Sequence, residues 1–240
     1  MPSAGRSLAR HAAHVDAVTT IREALLDALA LVLPVACAGC GHDGRELCTT
    51  CRGRLRGDPM RGVVPGGVPV VAGARYTDLV RRVVLACKEG RTSLAAPLAQ
   101  LLAEAIALAA PPPDVELCVV PSTRAAFRRR GFDPARLVLA RTGHRDARVL
   151  RAARPHRTQK TLGRDDRRAN LRGVHRARYR LDGRRFLLVD DVVTTGATLA
   201  EAARAIREAG GEVAGAVVVA ATPLRSRRAA SHTRPSAKTG

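Results

Sequence analysis

Phe-Leu-Leu-Val-Asp-Asp-Val-Val-Thr-Thr-Gly-Ala-Thr, residues 186–198, is the stretch on which the reading of this chain turns. Residues 186–189 have the length and apolar continuity of a buried strand. Asp190 and Asp191 follow at its carboxyl end, and Val192, Val193, Thr194, Thr195, Gly196, Ala197 and Thr198 lead into a helix that stops at Gly210-Gly211. The first amide N–H groups of a helix lack intrahelical acceptors and lie at the positive end of its dipole, so such a start favours phosphate. Thr194, Thr195 and Thr198 add hydroxyl donors, and Gly196 lets the backbone approach without a Cβ in the way. The two carboxylates would repel a phosphate. They must face something that donates to them, a sugar diol or a metal ion. A ribose 5-phosphate satisfies both ends, with its phosphate on residues 194–198 and its hydroxyls on Asp190 and Asp191. An ordinary N-capped helix would explain a Thr here, but not two acids, three Thr and a Gly at one junction. No Gly-Lys-Ser or Gly-Lys-Thr occurs, so a Walker-type nucleotide loop is excluded.

A second strand end has complementary chemistry. Residues 117–120 are apolar and are followed by Pro121-Ser122-Thr123-Arg124 and then Arg128-Arg129-Arg130-Gly131. A small polar turn beside four arginines suits a highly charged anion such as pyrophosphate, with Ser122, Thr123, Arg124, Arg128 and Arg130 as candidate contacts. The competing reading is a solvated basic helix. In an open α/β sheet both strand ends would meet at the carboxyl edge.

The rest of the chain supports such a sheet. Strands are expected at 68–76, 147–150 and 213–220, and helices at 77–87, 93–109, 133–141 and 196–209. Their alternation indicates an α/β fold with a mainly parallel, doubly wound sheet over residues 68–223. Residues 1–18 and 224–240 lack apolar periodicity and read as disordered, the second as a basic tail. A short amphipathic helix begins at Thr19 and ends at Pro34; with the cysteines after it, it makes a small unit over 19–60, and 52–69 reads as a linker.

At 240 residues with 46% hydrophobic content, the chain can bury one core, built from Val, Leu and Ala since only 2% is aromatic and Trp is absent. Lys and Arg total 41 against 21 acids, a net charge of +20, and only Lys88, Lys160 and Lys238 are lysines. Such a surface favours nucleic acid or phosphorylated small molecules, while the scarcity of aromatics counts against a base-stacking platform. The apolar run 24–38 is broken by Asp27 and Pro34 and is too short to span a membrane or resemble an export signal. The expected location is the cytoplasm.

Cys37-x2-Cys40 and Cys48-x2-Cys51, seven residues apart, place four thiols on two tight turns and suit a structural, tetrahedral zinc. A closed four-thiolate site has no open position for catalysis. Cys87 and Cys118 sit alone in apolar surroundings and read as small core residues. His156 and His175 have no partner motif and read as surface residues. The basic segment 154–173 reads from its residues as a solvent-facing helix at 165–171.

The strand, two acids and Thr-Thr-Gly-x-Thr resemble the signature of type I phosphoribosyltransferases. Taken with Val120-Pro121-Ser122, Arg128-Arg129-Arg130-Gly131-Phe132, Arg157-Thr158-Gln159 to Leu162, Arg167, Asn170 and the paired CxxC motifs, the chain resembles the ComF family over residues 20–223. The resemblance implies a type I phosphoribosyltransferase fold behind a helix and zinc knuckle. It also implies a ligand such as phosphoribosyl pyrophosphate held with Mg²⁺, with Asp190 and Asp191 as the catalytic pair, Thr194 to Thr198 around the ribose phosphate, and Lys88 of Leu85-Ala86-Cys87-Lys88-Glu89-Gly90 on the pyrophosphate side. For segment 154–173 the resemblance to type I phosphoribosyltransferases implies, instead of a solvated helix, a part closing over pyrophosphate or a nucleic-acid strand. The implied process is DNA uptake in natural transformation, with single-stranded DNA and DNA-processing proteins as partners. Two alternatives remain: a non-enzymatic module for single-stranded nucleic acid, and a nucleobase-salvage enzyme. One departure stands out. Family members commonly carry Asn-Gln after Arg-Gly-Phe, where this chain has Asp133-Pro134; Asp133 either adds charge near the ligand or caps the next helix.

Overall fold

A computed structural model describes residues 35–153 and 173–223. The expected terminal disorder, the helix from Thr19 and most of the basic segment before Gly173 lie outside the described residues.

Seven strands are present among the described residues: β1 (Met60–Val64), β2 (Val68–Arg75), β3 (Val115–Val119), β4 (Leu150–Ala152), β5 (His175–Ala177), β6 (Arg185–Val193) and β7 (Glu212–Ala221). Five form one sheet in the order β1-β2-β7-β6-β3, parallel except for β1, and β4 pairs antiparallel with β5 as a separate two-stranded sheet. The helices are α1 (Thr49–Arg54), α2 (Asp78–Lys88), α3 (Ala95–Ala109), α4 (Arg124–Arg130), α5 (Pro134–Ala140) and α6 (Ala197–Glu208).

Side chains that alternate across the strands feed two cores. On one face Leu187, Val189 and Val217 meet α2, α3 and α5 through Val83, Leu102 and Val138. On the other, Phe186, Leu188 and Val218 meet α6 through Leu199, Ala202 and Ile206. Small residues let these layers close: a Cβ on Gly73 of β2 would lie 1.9 Å from the Leu101 carbonyl oxygen of α3. The chain leaving β3 packs α5 on one face, and the chain leaving β6 packs α6 on the other. Adjacent strands that diverge in this way leave a crevice at their carboxyl ends. The parallel, doubly wound architecture is therefore the observed one.

Two local readings are corrected. The supposed linker 52–69 contains the end of α1 and all of β1, which pairs from Met60↔Ala72 to Val64↔Val68 around Pro65-Gly66-Gly67. The turn residues dominate that composition and hide a five-residue edge strand. The strand expected at 147–150 begins only at Leu150. Arg148 takes a positive φ of 53°, and the Ala147 N–H donates to the Leu117 carbonyl at 2.8 Å, so this stretch covers the edge of β3 instead.

The helical stretch Thr92–Ala109 has the length and apolarity to cross a membrane by composition alone. Leu98, Leu101, Leu102 and Ile106 are buried in the sheet-facing core, which accounts for that composition.

Candidate functional site

The acids do not follow the strand as the sequence suggested; they lie within it. β6 continues through Val192 and Val193, with Asp190 paired to Val218 and Val193 to Ala221. The partner β7 runs on as Val and Ala, and the β-branched Val192-Val193 keeps the ladder going past the charges. Thr194 and Thr195 then turn the exposed chain into α6. Gly196 precedes the helix at φ +73° and offers no capping side chain, and the Thr195 hydroxyl accepts from the Ala197 N–H at 3.4 Å instead. The Thr198 and Leu199 N–H groups lie in the first turn, without intrahelical acceptors. Gly196 is required for a further reason: a Cβ there would lie 2.4 Å from Cβ of Val64, so β1 buttresses the turn from behind.

Asp190 and Asp191 are partly buried and differ in their surroundings. Burial pushes the Asp190 carboxyl well above its ordinary range; the neighbouring Asp191 adds to this, and the Asp191 N–H donated to Oδ1 at 2.8 Å and the Lys88 charge oppose it. Asp133 raises it slightly further. Asp191 has a direct partner. Lys88 Nζ, at the last residue of α2, lies 2.8 Å from its Oδ1. A half-desolvated ammonium is thereby held at the edge of the crevice.

β3 ends beside β6, and the Val120 N–H donates to the Val189 carbonyl at 2.9 Å. Pro121 and Ser122 make the turn, and Thr123 caps α4 by accepting from the Ala126 N–H. The four arginines do form a helix, seven residues long with no buried side chain, so the solvated-helix reading describes its outer surface. Arg124, Arg128 and Arg129 are exposed beside Phe127, while Arg130 folds back to donate to the Ser122 hydroxyl at 3.1 Å. The Arg130 Nε is buried and has no acceptor among the described residues. Asp133 is buried, accepts from Ser122 N–H at 2.8 Å and Arg136 N–H at 3.4 Å, and so ties the turn to α5 as well as capping it.

His175 corrects the surface reading: only 2% of it is exposed. Its Nε2 lies 3.1 Å from the Pro121 carbonyl oxygen, and Glu201 of α6 accepts from Gly173 N–H, His175 N–H and the Arg204 guanidinium. Sequence could flag this cluster only through Glu201 and Arg204, two charges on an otherwise apolar helix face. Cys87 and Cys118 are buried, and burial pushes their thiols up to about 11 and about 12.

The four N-terminal cysteines converge, their sulfurs all within 4.8 Å of one another and Cys40 Sγ 3.8 Å from Cys48 Sγ. A tetrahedron of thiolates at the usual zinc distance has edges of about 3.8 Å, so the set fits zinc. Cys37 Sγ accepts from the N–H groups of Gly39 and Cys48, and Cys48 Sγ from that of Cys51. Burial opposes ionisation of Cys37, but these backbone donors outweigh it and lower its pKa. The knuckle is joined to the main core through Leu47, Leu55 and α2. Arg91, just beyond α2, donates to the carbonyls of Ala36 and Glu46.

Residues 77–234 match the phosphoribosyl transferase domain family. Among curated proteins, the DNA utilization protein YhgH of Salmonella typhi is 33% identical over 124 residues, 48% of this chain and 54% of that protein. The Escherichia coli O157:H7 protein of the same name is 38% identical over 90 residues, covering 35% and 40%. An orotate phosphoribosyltransferase of Methanopyrus kandleri is 65% identical over 37 residues, 15% of this chain and 20% of that one. The chain thus spans about half the length, or less, of the curated relatives it matches. The domain match covers both strand ends of the crevice, and the chain belongs to the phosphoribosyl transferase domain family.

Proposed function

We propose that this protein binds phosphoribosyl pyrophosphate, or a related ribose 5-phosphate ligand, with Mg²⁺ in the crevice between the ends of β3 and β6. The observation that carries this reading is the pairing of two unlike acids with an open helix start on one strand end. The 5-phosphate sits on Thr194, Thr195, Gly196, Ala197 and Thr198, and the ribose hydroxyls donate to Asp190 and Asp191. The pyrophosphate lies toward Ser122, Thr123, Arg124, Arg128, Arg130 and Lys88, whose guanidinium and ammonium groups supply charged donors. Bound Mg²⁺ would neutralise charge on the departing pyrophosphate. The chemistry open to such a site is displacement of pyrophosphate from the anomeric carbon by a base or amine, driven by positioning. Zinc at Cys37, Cys40, Cys48 and Cys51 is structural, the functional unit is the 68–223 region with its β1 edge, and the site of action is the cytoplasm.

The similarity to DNA utilization proteins supports a place in DNA uptake, with single-stranded DNA as a second ligand. The exposed Phe127 among Arg124, Arg128 and Arg129 favours direct contact, since a ring flanked by guanidinium groups can stack a base. Affinity for an oligonucleotide should then fall with added salt and fall again in Phe127→Ala. Isothermal titration with phosphoribosyl pyrophosphate and Mg²⁺ tests the leading reading. Saturable binding lost in Asp190→Asn/Asp191→Asn is expected, and absence of binding by the native chain refutes it.

A further inference from the structure

Three elements grip the turn that follows β3. α5 holds the Ser122 N–H through Asp133, and α4 holds the Ser122 hydroxyl through Arg130. The third grip comes from β5, where His175 Nε2 meets the Pro121 carbonyl at 3.1 Å. An acceptor carbonyl requires that this nitrogen carry the proton, so the neutral ring is the Nε2–H tautomer and Nδ1 is a bare lone pair. That Nδ1 is buried and has no donor among the described residues. His175 is itself fixed from α6, since Glu201 accepts from its N–H and Arg204 donates to its carbonyl. α6 is the helix whose start forms the opposite, phosphate-binding side of the crevice.

We propose that His175 is a positioning residue for the pyrophosphate half of the site: its Nε2–H sets the Pro121-Ser122 turn, and the Glu201–Arg204 brace couples that setting to α6. This rests on the ligand reading above and extends it to a residue outside the motif. His175 touches no ligand in this scheme. Its loss should therefore separate two ligands that share the ribose 5-phosphate and differ in the pyrophosphate.

The test compares phosphoribosyl pyrophosphate plus Mg²⁺ with ribose 5-phosphate by calorimetry, using His175→Gln, whose amide can donate from near the Nε2 position, and His175→Phe, which fills the space and cannot donate. The expected result is a loss of about tenfold or more in phosphoribosyl pyrophosphate affinity for His175→Phe, the scale of one lost buried hydrogen bond. Ribose 5-phosphate affinity should be unchanged, and His175→Gln should recover most of the loss. Equal loss for both ligands, no loss in a folded His175→Phe, or no recovery in His175→Gln overturns the proposal. Should His175→Phe not fold, ¹⁵N spectra of the native chain decide: the His175 Nε2–H signal should move with phosphoribosyl pyrophosphate but not with ribose 5-phosphate, and a signal indifferent to both overturns it. If the native chain binds neither ligand, the site reading itself is wrong.

Discussion

Asp190→Asn and Asp191→Asn are adjacent, isosteric changes that should shift stability in opposite directions. Asp190 is partly buried beside a second carboxylate and makes no ion pair among the described residues, so its ionised form is disfavoured. Asparagine keeps an oxygen for the Asp191 N–H and removes the charge, a gain of about 1–2 kcal/mol at neutral pH. For a chain of this size that raises Tm by about 2–8 °C. Asp191 instead compensates Lys88 at 2.8 Å, with the two side chains only 17% and 27% exposed. Neutralising it strands a partly desolvated ammonium, and Tm should fall by a similar amount, about 2–8 °C. The pH dependence follows from the sign of the shift. A carboxyl whose folded pKa is raised binds its proton more tightly when folded, so its contribution favours the folded state at low pH and is lost as pH rises through the folded value. The gain in Asp190→Asn should therefore be near zero in acid and grow toward neutrality. Differential scanning calorimetry across pH reads both effects. Shifts of the same sign in the two variants, or a gain in Asp190→Asn that does not vary with pH, would refute the contrast drawn between these acids.

Four further outcomes are expected. Gly196→Ala places a Cβ against Val64 at a left-handed φ and should cost about 2–4 kcal/mol and abolish ribose 5-phosphate binding, measurable by thermal melts and calorimetry. Elemental analysis should find about one zinc per chain, set by the single four-thiolate cluster among the described residues. Chelation should lower Tm and weaken phosphoribosyl pyrophosphate binding, because Gly39 of the knuckle packs on Leu79 of α2, the helix that carries Lys88. Ligand affinity should rise with pH through the titration of Asp190, because the ionised carboxylate accepts a ribose hydroxyl more strongly than the neutral acid, and the slope should vanish in Asp190→Asn.

What could be read from sequence was what neighbouring residues carry. The β6–α6 junction is contiguous, so its strand, turn and glycine were all visible, as were the Thr77 and Asp133 helix starts. The end of β6 was misplaced because β7 decides how far the ladder runs, and a lone pair of acids looks like a strand terminus. Lys88 came only through family resemblance, since its ion pair joins residues 103 apart in the chain. The His175–Pro121 contact spans 54 positions and uses a histidine with no local motif. β1 was hidden by its turn, yet it supplies the Val64 wall behind Gly196. Local pattern exposes the phosphate cradle; the order of strands in the sheet decides what stands around it.

The central claim is that one ligand bridges the ends of β3 and β6, and a crystal structure of the chain with phosphoribosyl pyrophosphate and Mg²⁺ tests it most directly. The 5-phosphate should lie against the amides of residues 194–198, the ribose hydroxyls against Asp190 and Asp191, and the pyrophosphate at the Pro121-Ser122 turn. A ligand found elsewhere, or a phosphate group placed on the two acids, would contradict it.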